Sequence, residues 1–378
     1  MHTLKFIFLL FFSIIVNCYA QPAMPTLTKS SFAKLPGWQQ DNLIPALQAF
    51  RHSCVSIQSQ NAQVPFHKNL NSGKMRDWQR ICEAAMRSKQ LTPAAAREFF
   101  EKEFQPYSLS DTEGSAGLFT GYYLPLLHGS LQYSQRYHVP IYALPADLVK
   151  MKAGIFQIDH VTKKLRPYPD RRAINNGAIL RHTKVLLWAD DLTDVFFAQV
   201  QGSALVQLTN GHRIAIGYAG GNGHPYTSIG KVLVQANAID QKNISMQTIR
   251  QWLTQHPGDA INLLNHNASF VFFKILPDHN PLGTQRVPLT PERSLAVDTH
   301  YLPLGVPVWL STSIPQPGTQ HVQPLQRLLI AQDTGGAIQG VVRGDIYWGA
   351  GKKAEFIAGH MQQPGKYWVL LPRKQSGS

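Results

Sequence analysis

The sequence predicts an α+β chain, mainly β, with a helical N-terminal region followed by barrel-like β-regions. Three observations carry this. Apolar residues recur at helical spacing up to about residue 104. Beyond that point, short runs rich in β-branched and aromatic residues, punctuated by Gly and Pro, dominate the chain. Helical patterns interrupt those runs only occasionally, without the regular alternation that a doubly wound α/β sheet needs.

Taken in order, the first helix follows a Pro- and Ser-rich leader, residues 21–36, and places Leu43, Leu47, Phe50 and Cys54 on one face. Trp78, Ile81, Cys82 and Ala85 repeat that spacing in a second helix. Thr92-Pro93 reads as an N-cap followed by proline at the first helical position, opening a third helix that runs to about Phe104. "GLFTGYYLPLL", "HVPIYALP", "VFFAQVQGSALVQL" and "HRIAIGYAGG" then read as strands. Two helices capped by Ser228 and Ser245 intervene, before "ASFVFFKIL", "VPVWL", "RLLIAQ", "GDIYWG" and "KYWVLLP" resume the β pattern. The turn-forming "PDHNPLGTQ", residues 277–285, reads as a domain crossing.

The bulk numbers bound the function. A chain of 378 residues with 44% hydrophobic content and 15% charged residues is globular and long enough for two domains. A formal charge of +14 favours a polyanionic partner: nucleic acid, an acidic membrane face or a carboxylate-bearing polymer. The first twenty residues have a basic start at Lys5, an apolar run from Phe6 to Val16 and small residues before Gln21, the layout of an export signal cleaved after Ala20. Acylation at Cys18, making an outer-membrane lipoprotein instead of a soluble periplasmic protein, is the alternative, although Asn17 stands where a small residue is preferred. With Cys18 removed, Cys54 and Cys82 form an even pair in a compartment where disulfides persist. Pairing is the expectation, with two separate buried thiols as the alternative.

Several motifs fail. "YAGGNGHPYTSIGKV" has Val232 after its Gly-Lys and Pro225 in place of the first P-loop glycine. No His-Glu-x-x-His or Cys-x-x-Cys implies a metal, Gly202-Ser203-Ala204 lacks the hydrolase elbow, and no nucleic-acid module is recognisable. No cofactor, metal or nucleic-acid partner is expected.

The chemistry concentrates in "AQDTGGAIQGVVRGDIYWG", where Asp333 and Asp345 stand twelve positions apart. An aspartic peptidase needs two Asp-Thr-Gly copies sharing a proton, and this chain has one. Turn chemistry alone would explain Asp-Thr-Gly-Gly. Strand-like "RLLIAQ" and "VVRGDIYWG" nevertheless deliver both carboxylates into reach, beside Tyr347 and Trp348, whose rings suit sugar faces.

Six segments in order, "GLFTGYYLP", "VQGSA", "YAGGNGHPYTSIGKVL", "NASFVFFK", "RSLAVDTHYLPLG" and the aspartate stretch, make the chain similar to the membrane-bound lytic murein transglycosylase A (MltA) family over about residues 117–371. That resemblance implies a double-psi β-barrel split by an inserted, mostly β domain, with the glycan in the groove between them. Residues 1–20 are then the signal peptide and 21–125 the helical region with the first part of the barrel. The insert occupies 126–278, the catalytic part of the barrel 279–372, and the tail 373–378. The resemblance places the catalytic aspartate at Asp345 and companion acids at Asp333 and Asp298. Thr120, Tyr122, Gln201, Ser203, Asn222, His224 and Tyr226 match segments lining the groove. The implied activity is cleavage between N-acetylmuramic acid and N-acetylglucosamine with formation of a 1,6-anhydro end. Peptidoglycan glycan strands are the implied partner; association with other wall enzymes, and with a membrane through Cys18, stays open. A non-catalytic expansin-like glycan binder and a conventional muramidase are the competing readings.

Overall fold

The computed structural model describes residues 25–87, 91–110, 117–159, 161–277, 281–319 and 321–373. The expected export signal, Cys18 and all but the first residue of the expected tail lie outside the described residues.

The chain opens with a short strand, β1 (Thr26–Lys29), followed by α1 (Ile44–Gln58), α2 (Met75–Arg87) and α3 (Pro93–Glu103). Thr92 caps α3 by accepting from the Ala95 N–H, and proline follows at the first helical position, as the sequence predicts. Cys54 of α1 and Cys82 of α2 are joined in a disulfide with a Cα–Cα distance of 5.3 Å. Removing it by Cys54→Ser/Cys82→Ser should lower stability by roughly 3.5 kcal/mol, from the loop that it closes. The shift of the urea midpoint measures this, and a reduced wild-type protein should match the double variant.

From Phe104 the backbone becomes extended. β2 (Phe104–Ser110) and β3 (Gly117–Leu124) belong to the main sheet. After Pro125 the chain enters a second sheet with β4 (Leu126–Ser130) and β5 (Val139–Tyr142). β6 (Leu148–Met151), β7 (Gly154–Ile158) and β8 (Leu165–Pro167) form a small antiparallel sheet that the sequence reading did not resolve. α4 (Arg171–Asn175), β9 (Val185–Ala189), α5 (Leu192–Gln201), β10 (Ser203–Leu208) and β11 (Arg213–Gly221) follow.

The "VFFAQVQ" part of the expected strand is therefore helical. Asp191 caps α5 on the Asp194 N–H, and Gly202 ends it at φ 78°, so both boundary signals were present beneath a β-like composition. The segment buries Val195 to Gln199 without a break, and such a run does not distinguish the two periods.

α6 (Ile229–Gln235) and α7 (Met246–Gln255) start at the expected serines; Ser245 and Thr248 form a reciprocal capping box. α8 (Pro257–Leu264) and β12 (Val271–Ile275) complete this unit, whose large sheet has the order β12-β11-β10-β4-β9-β5.

The last stretch returns to the main sheet with β13 (Ser294–Val297), β14 (Pro307–Pro315), β15 (Val322–Asp333), β16 (Arg343–Ala350), α9 (Lys352–His360) and β17 (Gln362–Pro372). The order is β1-β2-β17-β14-β15-β13-β16-β3, and β17 pairs again with β3. Six strands, β17, β14, β15, β13, β16 and β3, thus close into a ring, which removes the exposed edges of an open sheet. The fold is mixed α+β and mostly β. Its largest core joins α1–α3, the ring and the helices α6, α7, α8 and α9, with Trp38, Trp78 and Trp309 all but fully buried.

Candidate active site

Strand register builds the site. Thr120 of β3 lies opposite Asp345 of β16, Asp345 opposite Ala296 of β13, and Ala296 opposite Asp333 of β15. Residues opposite one another share a face, so Thr120, Asp345, Ala296 and Asp333 form one row across four strands. The small Ala296 separates the two carboxylates, whose Cα atoms are therefore two strand spacings, roughly 10 Å, apart.

A bulge decides which residue of β15 joins this row. Leu295 pairs with Ala331 but Ala296 pairs with Asp333, leaving Gln332 as the extra residue. Without it, Gln332 would face the site and Asp333 the core. Gln332 is fully buried, donating to Ala49 O and Ser53 Oγ, both at 2.9 Å, and accepting from Ser294 Oγ at 2.6 Å.

Asp345 is half-buried and accepts a 2.6 Å hydrogen bond from Thr120 Oγ1, which accepts in turn from Arg343 Nη2 at 2.9 Å. Burial pushes the Asp345 carboxyl up to about 6; the Thr120 hydrogen bond and the Arg343 charge hold it lower than burial alone would, and the Asp333 charge adds to the rise. Asp333 accepts from Thr284 N (2.9 Å), Thr284 Oγ1 (2.8 Å) and Thr334 N (2.9 Å) at one oxygen and from the Tyr122 hydroxyl (3.0 Å) at the other. Burial outweighs these four donors and leaves its carboxyl above the ordinary range.

Asp298 behaves oppositely. Its burial is outweighed by the Gly340 N–H and by the His300 N–H and ring, so it lies below the ordinary carboxylate value. Oδ2 accepts from Gly340 N and ties the end of β13 to the loop between Asp333 and Asp345, while Oδ1 is held locally by the His300 N–H and ring. The neighbouring charge that raises Asp345 is that of Asp333.

The aromatic expectations divide by strand alternation. Tyr347, two positions beyond Asp345, stays on the site's face and packs on Tyr122 with ring centroids 5.2 Å apart. Trp348 points the other way, into the main core, with its indole nitrogen against Gly121. It is therefore not a sugar platform, contrary to the reading that grouped it with Tyr347.

The remaining expected contacts separate from the row. Gln201 Oε1 accepts from Tyr123 N at 3.0 Å, tying the end of α5 to β3, and Ser203 opens β10 opposite Gly217. Asn222 is 1% exposed, with its amide donating to Pro169 O and Ala268 O and its oxygen accepting from Phe270 N. Its side chain holds a loop and leaves no free atom for a sugar, a correction to its expected binding role. His224 Nε2 lies 2.7 Å from Tyr168 O, while Tyr226 presents an exposed ring.

Two functional residues were missed. Arg343 sits two positions before Asp345 on the same strand, a signal that period two could have revealed. Thr284 reaches Asp333 across 49 positions, and no local pattern announces that.

This geometry can be set beside known proteins. Residues 118–274 match the MltA specific insert domain and residues 293–371 the 3D domain. The membrane-bound lytic murein transglycosylase A of Escherichia coli strain K12 is 33% identical over 263 residues, 69% of this chain and 67% of that protein. The chain belongs to the MltA family. The matched stretches span about two thirds, 65% to 67%, of the length of the curated MltA relatives.

Agreement in three dimensions extends further along the chain. A crystal structure of a membrane-bound lytic murein transglycosylase from Agrobacterium tumefaciens has a TM-score of 0.82 and 32% identity, covering 92% of this chain and 98% of that one. The E. coli MltA structure with bound chitohexaose has a TM-score of 0.67 and 26% identity, covering 94% and 95%. All three expected aspartates fall within the 3D match, whereas Thr120, Tyr122, Gln201, Ser203, Asn222, His224 and Tyr226 fall within the insert match.

Proposed function

We propose that this MltA-family chain is a peptidoglycan lytic transglycosylase with Asp345 as its single proton-transfer group. The observation that carries the reading is a half-buried carboxyl raised to about 6, standing in one row with a second, hydrogen-bonded carboxylate. Chitohexaose bound to the E. coli relative supports a β-1,4-linked amino-sugar chain as the ligand class.

Protonated Asp345 donates to the oxygen that links muramic acid C1 to glucosamine C4, the C1–O bond breaks, and positive charge develops at C1 and the ring oxygen. The muramic acid 6-hydroxyl attacks C1 and returns its proton to the Asp345 carboxylate. A 1,6-anhydro ring forms and no water is consumed. The internal hydroxyl outcompetes water because oriented intramolecular groups reach effective molarities of about 10⁵ M or more. Asp333 faces the same space and supplies negative charge toward the developing cation. Arg343 orients Thr120, which fixes the rotamer of Asp345, while Asp298 fixes the loop between the two site carboxylates.

In this reading the closed six-stranded ring is the double-psi barrel and residues 126–278 are the insert, with glycan between them. The expected export signal and the membrane-bound relatives support an envelope location, in the periplasm or at the outer membrane. No helix among the described residues is long and apolar enough to cross a membrane.

The decisive experiment digests purified sacculi and weighs the fragments. Products lighter by one water than the reducing muropeptides are expected; free reducing ends would overturn the proposal in favour of hydrolysis. A pH profile tests the same group. Asp345 must be protonated to act, so turnover should fall as pH rises through about 6, with roughly a tenth of the acid form left at pH 7. Initial rates of anhydro-product release from pH 4.5 to 8 measure it, and a flat profile would remove Asp345 from the acid role.

A further inference from the structure

A cavity of about 510 Å³ opens beside the carboxylate row, between the helical region and the loops that follow Asp298 and precede β13. Its walls include Gln60, Phe66, His67, Thr284, Arg286 and Thr299. Thr284 belongs to both places: its hydroxyl and N–H hold Asp333, and the residue also lines the cavity. Thr299 directly follows Asp298.

One tight hairpin, from Leu282 to Pro288, arranges this corner. Successive residues face three ways. Thr284 holds Asp333, buried Gln285 accepts from Ser53 Oγ at 2.7 Å, and Arg286 stands exposed at the cavity. Arg286 adopts φ 63°, a left-handed conformation that persists only where its surroundings impose it. Its guanidinium has no carboxylate partner among the described residues, and no Asp or Glu is among the cavity walls. A basic, mixed-polarity recess of this size fits an anionic ligand of several residues.

We infer that this cavity is a subsite for the acidic stem peptide of the glycan and that Arg286 recognises one of its carboxylates. The inference rests on the transglycosylase reading for the identity of the polymer. The peptide leaves muramic acid through its lactyl group, and a three-residue extended segment spans roughly 10 Å, the scale separating Asp345 from the Asp333–Thr284 corner. Arg286 thereby makes the enzyme prefer peptide-bearing strands to naked ones.

Two measurements test it. Calorimetric titration of a soluble, uncrosslinked stem tripeptide into the full chain should show binding weakened about tenfold by Arg286→Gln and largely retained by Arg286→Lys, a size expected for loss of one charge-assisted contact. Equal affinity of the wild type and Arg286→Gln, or no binding to either, overturns the subsite. On glycan, the ratio of kcat/KM for peptide-bearing over amidase-stripped strands should fall about tenfold in Arg286→Gln; an equal loss on both substrates overturns it too. Failure of the wild type to release anhydro products while Arg286-dependent peptide binding persists would sink the reaction assignment and leave the subsite standing.

Discussion

Asp345→Asn removes anhydro-product release by at least 10³-fold and makes the folded protein more stable at neutral pH. The first effect follows because asparagine carries no transferable proton, and a positioned general acid contributes about 10² to 10⁴ in rate, here for both proton transfers. The second follows from linkage. The carboxyl has an unfolded value near 3.9 and a folded value raised to about 6, so the folded state holds the extra proton between these limits. The stability from that protonation is fully present below about pH 4 and is lost as pH rises through about 6. At pH 7 the ionised native carboxylate costs up to about 3 kcal/mol relative to a neutral side chain, an upper bound because the group is partly open to water. The amide keeps the Thr120 hydrogen bond and removes the charge. Thermal unfolding should therefore show Asp345→Asn a few degrees above wild type at pH 7 and level with it at pH 4. An inactive but destabilised variant at both pH values would mean that Asp345 is structural. Retained activity, together with a dead Asp333→Asn, would reverse the two roles.

The residues around Asp345 show how much of this site can be read from sequence. Asp333 and Asp345 stand in one glycine-rich stretch between strand-like runs, so their proximity was legible. That both face one side of the sheet was not, because the bulge at Gln332 sets the facing of Asp333 and its cause is distant: Ala49 and Ser53 of α1 and Ser294 of β13 hold the extra residue. Thr284 is hidden for the same reason. Trp348 was misplaced although strand alternation alone assigns it to the face opposite Asp345. In the fold, helices that open with a side-chain cap, at Thr92, Ser228 and Ser245, were legible from the cap itself. α5 was lost where Val and Phe composition outweighed an equally good cap at Asp191 and a terminating Gly202. Caps are chemical statements about orphan N–H groups, whereas composition reflects burial, which helices and strands share.

Asp41→Ala or Arg293→Ala should each destabilise the protein by about 3 to 5 kcal/mol, the range for breaking a buried ion pair by removing one partner. Arg293 lies immediately before β13, the strand between the two site carboxylates, and Asp41 lies three residues before α1. Their side chains are 7% and 6% exposed and meet through two 2.7 Å hydrogen bonds, Nη1 to Oδ2 and Nη2 to Oδ1. Arg293 also donates to Leu328 O and Asn42 O, while Asp41 accepts from Leu328 N. Removing either partner leaves a buried charge with several orphaned donors or acceptors, so the cost exceeds that of an exposed ion pair by several-fold. Replacing both, as Asp41→Ala/Arg293→Met, removes the uncompensated charge and should recover part of the loss, and a double-mutant cycle on urea midpoints separates the pair from its backbone contacts. Single losses below 1 kcal/mol would show that water reaches the pair. The same clamp reaches the chemistry through geometry: Ile330 N donates to Arg293 O at 2.7 Å, three residues before Asp333, so loosening Arg293 loosens the register that brings Ala296 opposite both carboxylates. Arg293→Lys keeps the charge but not the planar fork, and should retain part of the stability while lowering kcat more than it raises KM. A KM effect alone would place the clamp outside the catalytic geometry.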